Sequence, residues 1–258
     1  MKRLFVFLPF LALLPMTGCD LMGGGGNGAY VDKWANLVNE TKYDAKVNGN
    51  TITYGSHTYT IVSDIDVNTK EFKNPTASVT FTNIPSGYTE FEAVYNGLLG
   101  KSMAGTIAMI PMAMEIYARK ASTGEKCFTL LCNSSSTVEG IIRILKTKIV
   151  ASDYSPENDQ YIQRYMAAAL LKGATKTNAY TPSTPYTVEM TMSPNGVQDA
   201  PLSGGEVTYT YILANGWDSF QRGVEVIQFY NTDTYKVFNC PSCYSQCQTI
   251  QGTWAGLQ

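Results

Sequence analysis

The chain has 258 residues, 44% of them hydrophobic and only 16% charged, with a formal net charge of −2. That much apolar content is enough for a packed core and excludes a disordered chain. Removing residues 1–18, which hold Lys2 and Arg3 and no acid, leaves 17 basic against 21 acidic residues, a net −4 that carries no electrostatic footprint for DNA or RNA.

Lys2 and Arg3 precede an apolar run, Leu4 to Pro15. At about 12 residues it is shorter than the ~20 a membrane span needs, and its flanks are those of an export signal. Met16-Thr17-Gly18-Cys19 follows. This stretch resembles the lipobox of bacterial lipoproteins, with Met16 where leucine is usual. The resemblance implies cleavage after Gly18 and a lipidated, palmitate-bearing Cys19 as the new first residue; an ordinary secretory signal cut nearby is the alternative. Four consecutive glycines, Gly23 to Gly26, with Gly28 close behind, read as a slack tether. The expected organisation is a signal peptide over 1–18, an anchor and tether over 19–29, and one domain over 30–258.

Within that domain, Tyr30 to Val38 reads as a short helix. Thr51 to Val62 alternates β-branched and aromatic residues with polar ones and breaks at Gly55-Ser56, and Ala77 to Thr82 is a similar run. The middle of the chain reads as helical. Thr89 and Glu92 form a capping-box pattern ahead of Phe91, Val94, Tyr95, Leu98 and Leu99, and Gly100 ends that helix. Met103 to Ala121 is apolar on nearly every side and should be a buried central helix, with Pro111 inside it. Further helices are expected over 124–132, from Ser136 with Glu139 as cap to Ile149, and from Ser155-Pro156 to Lys172-Gly173. Ala174 to Pro185 reads as a loop. Strands return over Tyr186–Met192, Glu206–Leu213, Val224–Tyr230 and Tyr235–Asn239, with turns at Pro194-Asn195-Gly196, Asn215-Gly216 and Asn231-Thr232-Asp233. The expected fold class is α+β: N-terminal strands, a central block of about five helices, and a C-terminal antiparallel meander.

The central run Pro111-Met-Ala-Met-Glu-Ile-Tyr-Ala-Arg119 and the terminal run from Gly216-Trp217-Asp218 through Arg222-Gly-Val-Glu-Val-Ile227 to Tyr235-Lys-Val-Phe238 together resemble an uncharacterised family of exported bacterial domains, a domain of unknown function. The resemblance covers about Ile52 to Asn239. It implies export and an α+β fold, and it brings no catalytic residue.

Few chemistries are open to these residues. His57 is the single histidine, so any Ser–His–Asp triad must use it, with Ser56 adjacent and Asp64 and Asp66 nearby. No Gly-x-Ser-x-Gly elbow accompanies it, and an ordinary strand position is the simpler reading. Gly97-Leu-Leu-Gly100-Lys101-Ser102 falls short of a phosphate-binding loop, because position 95 is Tyr where the motif needs Gly. Glu90, Glu92, Asp218 and Glu225 are acids from which a glycosidase-type pair could be drawn. Seventeen tyrosines could stack on sugars or peptides, or could pack across the sheet. Met103, Met109, Met112 and Met114 read as core packing and not as copper ligands. Arg143, Lys146 and Lys148 read as the solvated face of a helix.

The cysteines are the sharpest feature. Beyond Cys19 there are Cys127, Cys132, Cys240, Cys243 and Cys247. Export permits disulfides, and structural bridges stapling the tail are the leading expectation. Cys127 and Cys132 stand roughly 140° apart around a helix and cannot pair with each other. Cys240-Pro-Ser-Cys243 has redox spacing but lies after a meander, not early in a βαβ unit.

The combined expectation is a lipid-anchored protein of the bacterial cell envelope, periplasmic or surface-exposed, acting as a non-catalytic binding module. No catalytic residue, cofactor or metal is assigned. Its expected partners are the membrane, through the lipid, and an envelope protein, peptide or glycan, with nucleic acid excluded. An envelope hydrolase using paired carboxylates, and after it a thiol redox protein using Cys240 and Cys243, are the alternatives.

Overall fold

The computed structural model describes residues 37–65, 76–149, 163–200 and 204–258. Among these are eight β-strands and four α-helices. The strands are β1 (Ala45–Asn48), β2 (Thr51–Tyr54), β3 (His57–Ser63), β4 (Ala77–Phe81), β5 (Tyr186–Ala200), β6 (Gly205–Leu213), β7 (Gln221–Phe229) and β8 (Tyr235–Asn239). The helices are α1 (Tyr88–Gly97), α2 (Met103–Arg119), α3 (Ala121–Leu131) and α4 (Ser135–Lys148). The class is α+β, but the expected arrangement is corrected in two respects.

First, the helices among the described residues number four, not about five. The expected helix over 155–172 is absent from its described part. From Gln163 onward the amides mostly bond three residues back: Met166 to Gln163, Leu170 to Ala167 and Leu171 to Ala168. The apolar run Tyr165 to Leu171 is wholly buried, and its packing tightens the backbone into 3₁₀-type turns. Residues 150–162, and the expected helix over Tyr30–Val38 up to residue 36, lie outside the described residues.

Second, the N-terminal strands and the C-terminal meander are parts of one sheet. All eight strands build one antiparallel sheet in sequential order. The join is β4 with β5, which pairs Ala77 with Met190 and Phe81 with Tyr186 across more than a hundred residues of chain. The helical block is thus an insertion between two neighbouring strands. Pro194 to Gly196, expected as a turn, falls inside β5, where the register shifts between Met192 and Val197; the long partner β6 carries the pairing past the irregularity.

The sheet's inner face follows the two-residue alternation: Ile52 and Tyr54, Ala77, Val79 and Phe81, and Val224 and Val226 are all buried. Against it lies α2, of which every residue is buried. The helix touches β3 and β4 on one side and β7 and β8 on the other, so the sheet curls around it. Pro111 sits inside α2. The backbone bond it forfeits costs ~3 kcal/mol, an amount the burial of four methionines and three isoleucines in that helix offsets. Ser102 caps α2 by accepting the Gly105 N–H at 3.0 Å. Asp64 adds a second acceptor, to the Ala104 N–H at 2.8 Å.

Two caps differ from expectation. The N-cap of α1 is Gly87, which has no side chain to offer, so Thr89 lies within the first turn and cannot cap it. Glu40 supplies the cap from 48 residues away: its two carboxylate oxygens accept the Tyr88 N–H at 3.0 Å and the Thr89 N–H at 2.8 Å. Glu92 instead accepts the Tyr88 hydroxyl at 2.7 Å. The cap of α4 is Ser134, not Ser136; its hydroxyl accepts the Thr137 N–H at 3.2 Å. Three consecutive serines leave that choice to the backbone. The end of α3 joins the open edge of β8, with the Asn133 N–H donating to the Val237 carbonyl at 3.0 Å.

Candidate functional site

The β2–β3 hairpin turns through Gly55 and Ser56, pairing Tyr54 with His57. Gly55 has φ +58°, a left-handed conformation that favours glycine, and a Cβ there would lie 3.3 Å from the ring of Tyr43. The hairpin therefore holds Tyr43 over its turn. Tyr43 packs edge-on against Tyr54, with ring centroids 5.5 Å apart, and stays 55% exposed.

Beneath this aromatic rim lies a cleft of about 970 Å³. His57, Glu90, Arg119, Asn39 and Asn83 line it, and Ala255–Gln258 close one side. That closing segment is tied down: the Ile84 N–H donates to the Gln258 carbonyl at 2.9 Å, and the Gln258 N–H to the Tyr186 hydroxyl at 3.1 Å.

Glu90 organises the floor. It is 1% exposed, yet four donors reach it. His57 Nδ1 and the Tyr59 hydroxyl both lie 2.8 Å from Oε1, while the Ser86 N–H and hydroxyl lie 2.8 and 2.7 Å from Oε2. Two acceptor sites per oxygen are thereby filled; an ionised Glu90 only accepts, and His57 Nδ1 is then the nitrogen that carries the proton. In the neutral imidazole Nε2 is then a bare lone pair. Nε2 has no hydrogen-bond partner among the described residues and is not sealed in the interior; His57 lines the cleft with its side chain 23% exposed. Burial first, then the Glu90 charge, push the Tyr59 phenol well above its usual value, with Arg119 opposing. Tyr59 therefore remains a donor.

Behind the floor, Glu115 is wholly buried between two arginines. Arg164 grips it with Nη1 to Oε2 at 2.7 Å and Nη2 to Oε1 at 2.9 Å. Arg119 donates Nε to Oε1 at 3.0 Å and Nη2 to the Leu257 carbonyl at 3.0 Å. Burial alone would raise the Glu115 carboxyl, but Arg164 and then Arg119 outweigh it and hold the carboxyl below its usual range. The third nitrogen of Arg119, Nη1, has no partner among the described residues and is not sealed in the interior; Arg119 lines the cleft.

Of the residues singled out by sequence, the structure brings His57 and Glu90 together, 33 positions apart, with Ser56 on the same cleft. Asp64 is drawn off to cap α2, and Asp66 lies outside the described residues. The acids do not pair. Glu92 bonds Tyr88, Asp218 contacts the Gln248 side chain, and Glu225 lines a separate, smaller depression between β6 and β7, where burial raises its carboxyl. Gly97 is the last residue of α1, and Gly100, expected to end that helix, lies instead within the single turn Leu99–Lys101 that leads into α2. Met103, Met109, Met112 and Met114 are core residues. Arg143 and Lys146 lie on the exposed side of α4, and Lys148 reaches Gln246 at 3.3 Å.

Cys19 lies outside the described residues. The expected disulfides are absent: Cys127, Cys132, Cys240, Cys243 and Cys247 are free thiols and all buried. Cys127 and Cys132 belong to α3 and its end, while Cys240 precedes and Cys243 lies within the single turn Pro241–Tyr244, closed from the Cys243 N–H to the Cys240 carbonyl at 3.0 Å. Burial pushes the Cys132 and Cys247 thiols up to about 12 and raises Cys127 further. The Cys243 thiol, then burial, raises Cys240 well above its usual value. Thiols this far from ionising are poor nucleophiles. No group of three potential metal ligands occurs among the described residues.

Sequence reasoning did not reach Tyr59, Arg119, Glu115 or Arg164. One local signal was present: Glu115 and Arg119 stand four apart in an otherwise apolar helix, where an ion pair must be buried. A family model described as a domain of unknown function, DUF6935, matches residues 83–251. It takes in Glu90, Glu115, Arg119 and Arg164, and it begins after β3, the strand that carries both His57 and Tyr59. No curated protein and no solved structure matches the chain.

Proposed function

This chain belongs to the DUF6935 family, and on that premise we propose that it is a lipid-anchored protein of the bacterial cell envelope whose cleft binds a carbohydrate. The anchor rests on the sequence of Leu4 to Cys19 and the glycine tether behind it. The observation that carries the ligand class is the pairing of an exposed aromatic ring with a fixed polar floor. Tyr43 offers a flat apolar face at the rim, held by Tyr54 and the Gly55 turn. Below it, His57 Nε2 can accept a hydrogen bond from a hydroxyl, and the side chains of Asn39, Asn83 and Ser56 can donate and accept. Sugars need this combination, because their rings stack through C–H faces while their hydroxyls bond in the plane.

His57 is the single histidine, so its imidazole signals can be read alone by NMR in the full chain. Titrating glucose and N-acetylglucosamine should shift those signals, and Tyr43→Ala should abolish the shift while leaving the unfolding midpoint unchanged. Absence of any shift at tens of millimolar of either sugar would overturn the binding assignment. The anchor is tested separately: Cys19→Ser should move the protein from the membrane fraction to the soluble one.

A further inference from the structure

Resting on the carbohydrate reading, we propose that the cleft is also hydrolytic. His57 is a general base that activates water, and Arg119 stabilises the oxyanion, in the cleavage of an acyl ester on a sugar hydroxyl.

The His57–Glu90 arrangement exceeds what a structural histidine needs. A histidine merely filling a strand position requires one partner. Here the partner is a carboxylate buried to 1% exposure, with all four acceptor sites occupied. That arrangement keeps one tautomer and one ring orientation, and leaves Nε2 as an open base on the cleft. Glu90 is a positioning residue; it touches no substrate. Arg119, which lines the same cleft, is held by Glu115 and the Leu257 carbonyl through Nε and Nη2, and its Nη1 has no partner among the described residues. Its charge acts on Tyr59, the phenol that donates to Glu90. A base and a fixed cation on one cleft suit a reaction in which a proton leaves water as negative charge develops on oxygen.

The same residues choose the bond. Glycoside cleavage needs two facing carboxyl groups, and among the described residues Glu90 is the one carboxylate side chain lining the cleft, already saturated. Direct amide hydrolysis expels a far more basic nitrogen. An ester is within reach of one imidazole. His57 Nε2 takes a proton from water as the water oxygen bonds to the ester carbonyl carbon. The carbonyl electron pair moves to oxygen, which accepts from Arg119 Nη1–H. The pair then returns, the bond from carbon to the sugar oxygen breaks, and the proton on Nε2 passes to that oxygen. Water and ester become carboxylic acid and sugar alcohol, and the histidine returns to its starting form.

The test uses the full chain with glucose pentaacetate and p-nitrophenyl acetate. Acetate release should saturate with substrate, and its rate should rise along the same curve as loss of the His57 proton followed by NMR. His57→Gln keeps an amide donor for Glu90 but has no basic nitrogen, and should lose about 10²-fold or more in kcat/KM. Glu90→Gln should lower kcat and displace the pH profile, an effect a merely structural role would not produce. Wild-type and His57→Gln proteins releasing acetate equally, or a rate that ignores the His57 titration, would overturn the hydrolytic inference. Calorimetry with glucose separates the two readings. Binding without histidine-dependent turnover leaves the carbohydrate site standing and removes the esterase; neither binding nor turnover removes both.

Discussion

Replacing Glu115 by glutamine tests the account of the buried charges most directly. The side chain is fully buried and takes three charged hydrogen bonds, at 2.7, 2.9 and 3.0 Å, from Arg164 and Arg119. Glutamine fits the space, but it removes the negative charge and points an N–H₂ at a guanidinium. Hydrogen bonds to charged groups are worth roughly 1.5–3 kcal/mol each. One acceptor survives in the amide, and breaking a buried pair typically costs about 3–5 kcal/mol. Taking ~4 kcal/mol and a urea m-value of about 2–3 kcal/mol/M, the midpoint falls by roughly 1.3–2 M. The pH dependence supplies a second reading. The folded Glu115 carboxyl is held below its unfolded value, so its stabilisation is complete above the unfolded pKa near about 4.3 and is lost as the pH falls through the folded one. The gap between wild type and Glu115→Gln should therefore be widest at neutral pH and narrow below pH ~4. A midpoint change under about 0.5 M at pH 7, or a gap that does not vary with pH, would refute the reasoning. The variant with methionine at 115, 119 and 164 should recover most of the loss, because it leaves no charge unpaired.

Three further outcomes follow from single contacts. Glu40→Ala strips the cap from α1 and should lower stability by about 1 kcal/mol, read in a urea titration. Gly124→Ala should destabilise by ~1–3 kcal/mol despite alanine's better helix propensity, because its Cβ would lie 2.2 Å from the Tyr117 backbone, where α3 crosses α2; an unchanged thermal midpoint would contradict that packing. Cys127, Cys132, Cys240, Cys243 and Cys247 should all resist iodoacetamide at pH 8 in the native protein and all react in urea without prior reduction, as counted by intact mass. Thiols that react only after reduction would show that disulfides form instead.

Local pattern was enough to locate most elements. The alternation from Thr51 to Val62 with its glycine break yielded the β2–β3 hairpin, and the unbroken apolar run after Ser102 yielded the buried α2. Both depend on periodicity along a short stretch, which burial on one face or on all faces imposes directly on residue choice. The strand zones flanking the helices were legible too, but not that β4 and β5 are neighbours in one sheet, since hydrogen bonds between strands leave no mark on either side chain's identity. The cap of α1 was misread for a related reason: Thr89 and Glu92 match a local rule, while the carboxylate that fills the role, Glu40, lies 48 residues away. The site shows the same division. His57 as the single histidine and Glu90 as a candidate acid could be named from the sequence, but an acid near the start of a helix looks like any capping residue. Only the folded chain buries Glu90 under Tyr59 and Ser86, surrounds Glu115 with Arg119 and Arg164, and turns His57 from an ordinary strand residue into an oriented base. Short-range spacing decides where a helix or strand forms, whereas the environment of a titratable group is set by whichever distant segments the core brings against it.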